Sequence, residues 1–430
     1  MQLEVLAEAI DRAGQGVANV EGGQILIGDL APGERARVEI EHVSKGAPRA
    51  HARVIDRLES LPGRREAPCP NHTTREGACT GCPLMTWNED TQRALIAQHL
   101  GALGLDAAVR AAPTALGYRC SAKRVVFRKG AHVRLGSYVS GTHRPADMRG
   151  CLVDHPLIRE AADEIAVRAT ELKTPIYRPG RERGLRYVWL KTDGTKVLVT
   201  LIWGLPPDEH AEQLAEALTV AGVTTSVQSG TGNAMRGGRA RRVRGLDSLQ
   251  VQVGEVEATV GPLGFLQPNL EQAERFYRTL LSDETGTPVS GDRALDLYAG
   301  AGLTTQMLKP RFREVLPCES HPESANALGV RPEKVGAFLA DRRQADFVVA
   351  NPPRKGLGAE VCEALLRLGA PRLHLMSCGP SGLANDVKAL KAKYRVASID
   401  VFDSLPQTPH VEIVVRLVYN QGSGREGSAS

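Results

Sequence analysis

The chain has 430 residues, 42% of them hydrophobic, with 54 Lys and Arg against 49 Asp and Glu for a formal net charge of +5. That is the composition of a soluble globular protein, too long for one hydrophobic core and suited to two or three domains. No apolar run approaches the roughly 18 residues that cross a bilayer as a helix. The opening Met1-Gln2-Leu3-Glu4 lacks the basic-then-apolar layout of a signal peptide, so a cytoplasmic location is expected. In that reducing compartment the eight cysteines are candidates for metal binding or catalysis rather than for a disulfide framework.

Residues 1–62 read as a small β-barrel. Short runs such as Gln24-Ile25-Leu26-Ile27 and Arg37-Val38-Glu39-Ile40 are punctuated by Gly22-Gly23 and Pro32-Gly33, which are turn signals. The order Gly14-Gln15-Gly16-Val17-Ala18, Ile25-Leu26-Ile27, Ala31-Pro32-Gly33-Glu34 resembles the TRAM module. The resemblance implies an OB-like barrel whose open face accepts RNA.

The next domain, residues 63–262, opens on Cys69-Pro70-Asn71-His72 and Cys79-Thr80-Gly81-Cys82-Pro83, with another cysteine at Cys151. One Cys-x-x-Cys knuckle and two outlying thiols make four ligands, enough for tetrahedral zinc or an iron–sulfur cluster. The residue pattern does not separate the two metals. Thr91 to Leu100 reads as a short amphipathic helix that can pack on the last domain. From about Gly117 to Val260 strand-like runs follow, such as Lys123 to Phe127, Tyr187 to Leu190 and Lys196 to Trp203. They predict an antiparallel sheet with one helix, near Glu209 to Ala221, holding substrate rather than performing chemistry. Two basic clusters lie here: Arg119, Lys123, Arg124, Arg128 and Lys129, then Arg236, Arg239, Arg241, Arg242 and Arg244. Such clusters are often solvated faces, but two in one chain also suit a phosphate backbone.

Residues 263–420 alternate strands and helices, which predicts a doubly wound α/β domain. The Gly/Ser-rich 421–430 is expected to be a disordered tail. Within the α/β part, Asp296-Leu297-Tyr298-Ala299-Gly300-Ala301-Gly302 is a strand entering a Gly-rich turn. Glycines there let the backbone approach a nucleotide-like ligand. The third glycine of a dinucleotide fingerprint is replaced by Gln306, which disfavours NAD. Glu319 ends the next strand, where an acid can accept ribose hydroxyls. Asn351-Pro352-Pro353-Arg354-Lys355-Gly356 follows another strand as a rigid loop. Leu373-His374-Leu375-Met376-Ser377-Cys378-Gly379-Pro380 delivers a thiol to the same sheet edge. Taken alone, a cysteine there is more often core than nucleophile.

Together these motifs resemble the RNA uracil-C5 methyltransferase family, a class I fold that uses S-adenosylmethionine. Gly264 to Asn269 (Gly-Phe-Leu-Gln-Pro-Asn) and Phe402 to Glu412 (Phe-Asp-Ser-Leu-Pro-Gln-Thr-Pro-His-Val-Glu) extend the match, and the barrel and cysteines point to its 23S ribosomal RNA subgroup. The resemblance implies Cys378 as nucleophile and Glu412 as general base. It also implies Gln267, Tyr298, Gly300, Gly302, Glu319 and Asn351 as cofactor contacts, and Cys69, Cys79, Cys82 and Cys151 as ligands of a [4Fe–4S] cluster. RNA, 23S ribosomal RNA first, is the implied partner, with no membrane and a monomeric chain. Alternatives are a tRNA substrate, amino-group methylation at the Asn-Pro-Pro loop, or an RNA-binding iron–sulfur protein with an inactive methyltransferase domain. Three departures from the family pattern are visible: Cys69 and Cys79 stand farther apart, Asn351 replaces the common Asp, and only Asp341 offers itself as an adenine contact.

Overall fold

A computed structural model describes residues 1–420 except 45, 73–78, 141, 208 and 233; the expected disordered tail lies outside the described residues. The first six strands, Gln2–Leu6 through Arg49–Glu59, form one sheet in which only Gly23–Ile27 and Arg49–Glu59 pair in parallel. Its apolar face buries Val5, Ile25, Ile27, Leu30 and Val38. Alternation of apolar and polar residues explains why one face is dry. Glu34 is fully buried at the rim. Desolvation works against its charge, but Arg64 and two backbone N–H groups hold the carboxyl below the usual range. Arg64 also lies 4.4 Å over the Trp87 ring, and so ties the sheet to the segment after Cys82.

The central sheet has seven strands in the order Pro145–Asp147, His132–Tyr138, Ser121–Lys129, Leu185–Thr192, Val197–Trp203, Gly222–Val227, Arg241–Gly245. Two findings correct the sequence expectation. Val197–Trp203 and Gly222–Val227 run parallel, so the sheet is mixed. There are also two helices over it, Pro156–Glu171 and Glu209–Glu216. The first buries Ile158, Ala161, Ile165, Ala166 and Ala169, a helical stripe written mostly in alanine and therefore faint as an apolar pattern. The second is shorter than expected, and the guanidinium of Arg244 donates to the carbonyls of Ala215, Leu218 and Val220 at its end.

The C-terminal sheet runs Phe312–Cys318, Gly291–Leu297, Phe347–Ala350, Arg372–Ser377, Val411–Tyr419, Tyr394–Asp403, Val109–Arg110. The first four strands are parallel and the next two form an antiparallel hairpin. Parallel strands buried on both faces need near-continuous apolar runs, which Phe347 to Ala350 supply and Leu373 to Met376 supply apart from the buried His374. The helix Glu89–Gly101 sends Leu95, Ile96 and Leu100 into the same core as Leu295 and Leu375. The two-residue strand Val109–Arg110 then pairs with Val401 and Phe402. Among the described residues no helix is long and apolar enough to cross a membrane.

Candidate functional site

Strand register gathers the site residues at one edge. Leu297 stands opposite Cys318 and Ala350, Ala350 opposite Leu375, and Ser377 opposite Ile413. Tyr298, Glu319, Asn351 and Cys378 each follow the end of their strand, and Glu412 lies beside Ile413 on the neighbouring one. In open α/β sheets this carboxyl edge is where ligands bind.

Alternate residues of the Gly-rich turn are left-handed, with φ of 61° at Tyr298, 56° at Gly300 and 83° at Gly302. A positive φ costs a tyrosine more than a glycine, so the neighbours must hold it. Gly300 has open space where a Cβ would stand. Its N–H donates to Glu319 Oε2 at 2.9 Å, and the N–H of His321 donates to Oε1 at 2.6 Å. Both Glu319 oxygens thus brace the turn, with lone pairs remaining for a ligand. Beneath the turn, burial pushes Asp296 up to about 7 despite the Thr305 hydroxyl it accepts.

The loop from Asn351 is held from below. Asp386 accepts from the N–H of Leu357 at 2.8 Å and of Gly358 at 3.3 Å. The turn after the cysteine packs against it backbone to backbone. A Cβ on Gly379 would lie 2.2 Å from Arg354 O, and one on Gly382 2.7 Å from Lys355 C. Glycine is needed there for close approach, since neither residue has positive φ. Asn351 itself is exposed at the edge, its N–H donating to Leu297 O at 3.3 Å.

That packing delivers Arg354 to the thiol. Burial and the adjacent Glu412 push Cys378 up, while a hydrogen bond from Arg354 and its charge pull it down. Burial raises Glu412 to about 7, with Arg354 opposing. A thiol, a guanidinium and a high-pKa carboxyl therefore share one point of the edge, a combination suited to nucleophilic and acid–base chemistry near neutral pH. Gln267 reaches the same region and hydrogen-bonds Tyr277, whose phenol is pushed up to about 12 by burial and feels Glu412. Asp341 ends the helix Val335–Ala340 and is exposed.

Cys69, Cys79, Cys82 and Cys151 all line one cavity of about 640 Å³. Burial drives Cys82 far above the ordinary thiol range, and Cys151, Cys79 and Cys69 each add to the rise while Arg119 opposes it. The four sulfurs thus sense one another. Among the described residues none of the eight cysteines is in a disulfide, and no group of three or more His, Cys, Asp or Glu closes on a point as a single metal ion requires. Four thiols lining one cavity are soft donors of the kind that take zinc or an iron–sulfur cluster. Arg354, Phe265 and His410 also line this cavity, so it opens toward Cys378; the Gly turn is not on its wall.

Of the basic clusters, Arg128 donates to Thr174 O, while Arg119, Lys123, Arg124 and Arg236 line the cavity, Arg124 paired with buried Asp154. Sequence reasoning quoted Arg354 within its loop without giving it a task, and passed over Tyr277. An arginine directly after Pro-Pro was the available signal for the first. Tyr277 lies among the buried apolar residues of a helix, which hides it.

Residues 337–420 match the family model described as tRNA (Uracil-5-)-methyltransferase. An uncharacterised RNA methyltransferase of Geobacter sulfurreducens is 30% identical, over 97% of this chain and 90% of its own length. Another from Halalkalibacterium halodurans is 27% identical over 96% of each. Among solved structures, the tRNA (uracil-54, C5)-methyltransferase of Pyrococcus abyssi, in complex with S-adenosyl-L-homocysteine, superposes with a TM-score of 0.74. It is 23% identical, and the match covers 97% of this chain and 100% of that one.

Proposed function

We propose, since this chain belongs to the S-adenosylmethionine-dependent RNA uracil-C5 methyltransferase family, that it methylates C5 of a ribosomal RNA uridine through a covalent bond to Cys378. The observation that carries the mechanism is the meeting of Cys378, Arg354 and Glu412 at the edge reached by the Gly turn. Uracil C5 is a poor nucleophile. Addition of the Cys378 thiolate to C6 moves the ring's electron pair toward O4 and C5, which can then take a methyl group. Glu412 next removes the proton from C5; the C5–C6 double bond re-forms, the C6–S bond breaks, and the thiolate is restored. Arg354 stabilises that thiolate before attack and after release.

The methyl donor supplies an electrophilic sulfonium methyl. Tyr298, Gly300, Gly302, Glu319, Asn351 and Gln267 would hold it: the open space over Gly300 and the exposed Asn351 amide fit a nucleoside-bearing ligand. The target base must leave its stack at a cost of roughly a few kcal/mol, and Lys123, Arg119 and Arg236 on the cavity wall could offset that through phosphate contacts. Cys69, Cys79, Cys82 and Cys151 would hold the [4Fe–4S] cluster.

Ribosomal RNA is favoured by the four-cysteine cavity and the six-stranded N-terminal sheet, which suits the TRAM role. A tRNA substrate is the second reading, favoured by the full-length likeness to the Pyrococcus abyssi enzyme. Mass-spectrometric mapping of 5-methyluridine in ribosomal and transfer RNA from a deletion strain separates them. Loss from ribosomal RNA alone is expected; loss confined to tRNA would sink the ribosomal assignment.

A further inference from the structure

Five residues before Glu412, the buried side chain of Gln407 joins parts of the chain that are remote in sequence. Its backbone lies in the left-handed region at φ 74°, a conformation that glycine adopts freely and glutamine rarely. It is also wholly buried. Its N–H donates to Gln92 Oε1 at 3.0 Å, and its carbonyl accepts from the N–H of Leu84 at 3.1 Å. Its side-chain carbonyl accepts from Gln92 Nε2 at 2.8 Å and Arg65 at 3.4 Å, while its amide donates to Glu89 Oε1 at 3.2 Å and Ala115 O at 3.4 Å. Helix Glu89–Gly101 and the stretch after Val109–Arg110 thus meet at the side-chain amide, and the residue two past Cys82 meets the backbone of the same residue.

The turn around Gln407 joins the hairpin strands Tyr394–Asp403 and Val411–Tyr419, and Glu412 is the second residue of the latter. Thr408 closes the turn, donating to Leu405 O at 2.6 Å and accepting from the N–H of His410 at 3.2 Å. On its other side the Tyr118 hydroxyl donates to Pro406 O at 2.9 Å, and Leu405 packs among Cys69, Cys82 and Cys151. A strained residue persists only where its surroundings over-determine it, and such residues cluster at functional sites.

We propose that Gln407 is a positioning residue: its side chain locks the hairpin turn to helix Glu89–Gly101, Arg65 and the Ala115 carbonyl, and so fixes Glu412 over the target carbon. The inference rests on the reading of Glu412 as the base. The groups facing Glu412 are Arg354 from the loop after Ala350, Cys378 from the end of its strand, and Tyr277 from helix Leu270–Leu280. None of them belongs to the turn. Loosening the turn therefore admits water to Glu412 and relieves the burial that holds its carboxyl up, without removing any of these groups.

The test uses the full chain with the RNA fraction that a deletion strain leaves unmethylated. Gln407→Gly tolerates the backbone conformation and removes the side-chain bonds; Gln92→Ala removes a partner outside the turn. Formation of the covalent RNA adduct and methyl transfer in one turnover should stay within about threefold of the unaltered protein. Release of the adduct should slow at least about tenfold, so that adduct accumulates on denaturing gels. The acidic limb of the release-rate profile should also move down from about 7, toward the ordinary carboxylate range, in both variants. Equal loss of both steps, or an unmoved limb with only a lowered melting temperature, would overturn the proposal and leave Gln407 a structural tie. Glu412→Gln distinguishes failure of the premise: if that variant releases product at the normal rate, Glu412 is not the base.

Discussion

At Cys378 opposing influences decide reactivity. Burial and Glu412 favour the thiol, and Arg354 favours the thiolate. Arg354→Ala should therefore slow adduct formation at neutral pH by about tenfold or more, with Arg354→Lys recovering part, because a point charge replaces the guanidinium but not its fork. Adduct formation should regain speed in Arg354→Ala as pH rises, since bulk base then supplies the thiolate; an unchanged rate at neutral pH would remove Arg354 from the mechanism. Glu412 runs the other way. Its carboxyl holds a proton up to about 7, so as a base it is competent above that pH and fails below it. Cys378 and Glu412 could be proposed from the sequence because their residue types and neighbours resemble the family's motifs, and the structure brings the two to one sheet edge. Arg354 was not, because its direction depends on how Gly379 and Gly382 seat the loop, which no local pattern expresses.

At the scale of elements, the parallel strands and the Gly turn were readable from apolar runs and glycine spacing, and their order placed the edge correctly. The central sheet was less legible. The helix Pro156–Glu171 buries three alanines beside two isoleucines, so its 3.6-residue period barely shows in hydrophobicity. Parallel pairing of Val197–Trp203 with Gly222–Val227 depends on the intervening helix, a long-range matter. The cysteine segment carries its own prediction. Protein purified without oxygen should contain about four iron atoms per chain and absorb near the visible edge typical of such clusters. Cys82→Ser should lose most of that iron, and a full complement of zinc in place of iron would contradict the cluster assignment.

For the molecule as a whole, the chain does not lay its units down in strict succession. Helix Glu89–Gly101 and strand Val109–Arg110, which precede the central sheet, complete the C-terminal core. The cysteine cavity is lined in part by Arg354 and His410 of the C-terminal part. A two-residue edge strand has no sequence signature, and burial of Leu95, Ile96 and Leu100 against Leu295 and Leu375 is a tertiary fact that amphipathicity alone could only suggest. The consequence is that the cavity of the four cysteines borders the sheet edge at Arg354.

The most direct test of methylation at C5 through Cys378 is tritium release from RNA labelled at uridine C5, followed alongside methyl incorporation. The expected result is one tritium released to water for each methyl transferred, with both abolished in Cys378→Ala. Methyl transfer without tritium release, or its persistence in Cys378→Ala, would contradict the mechanism.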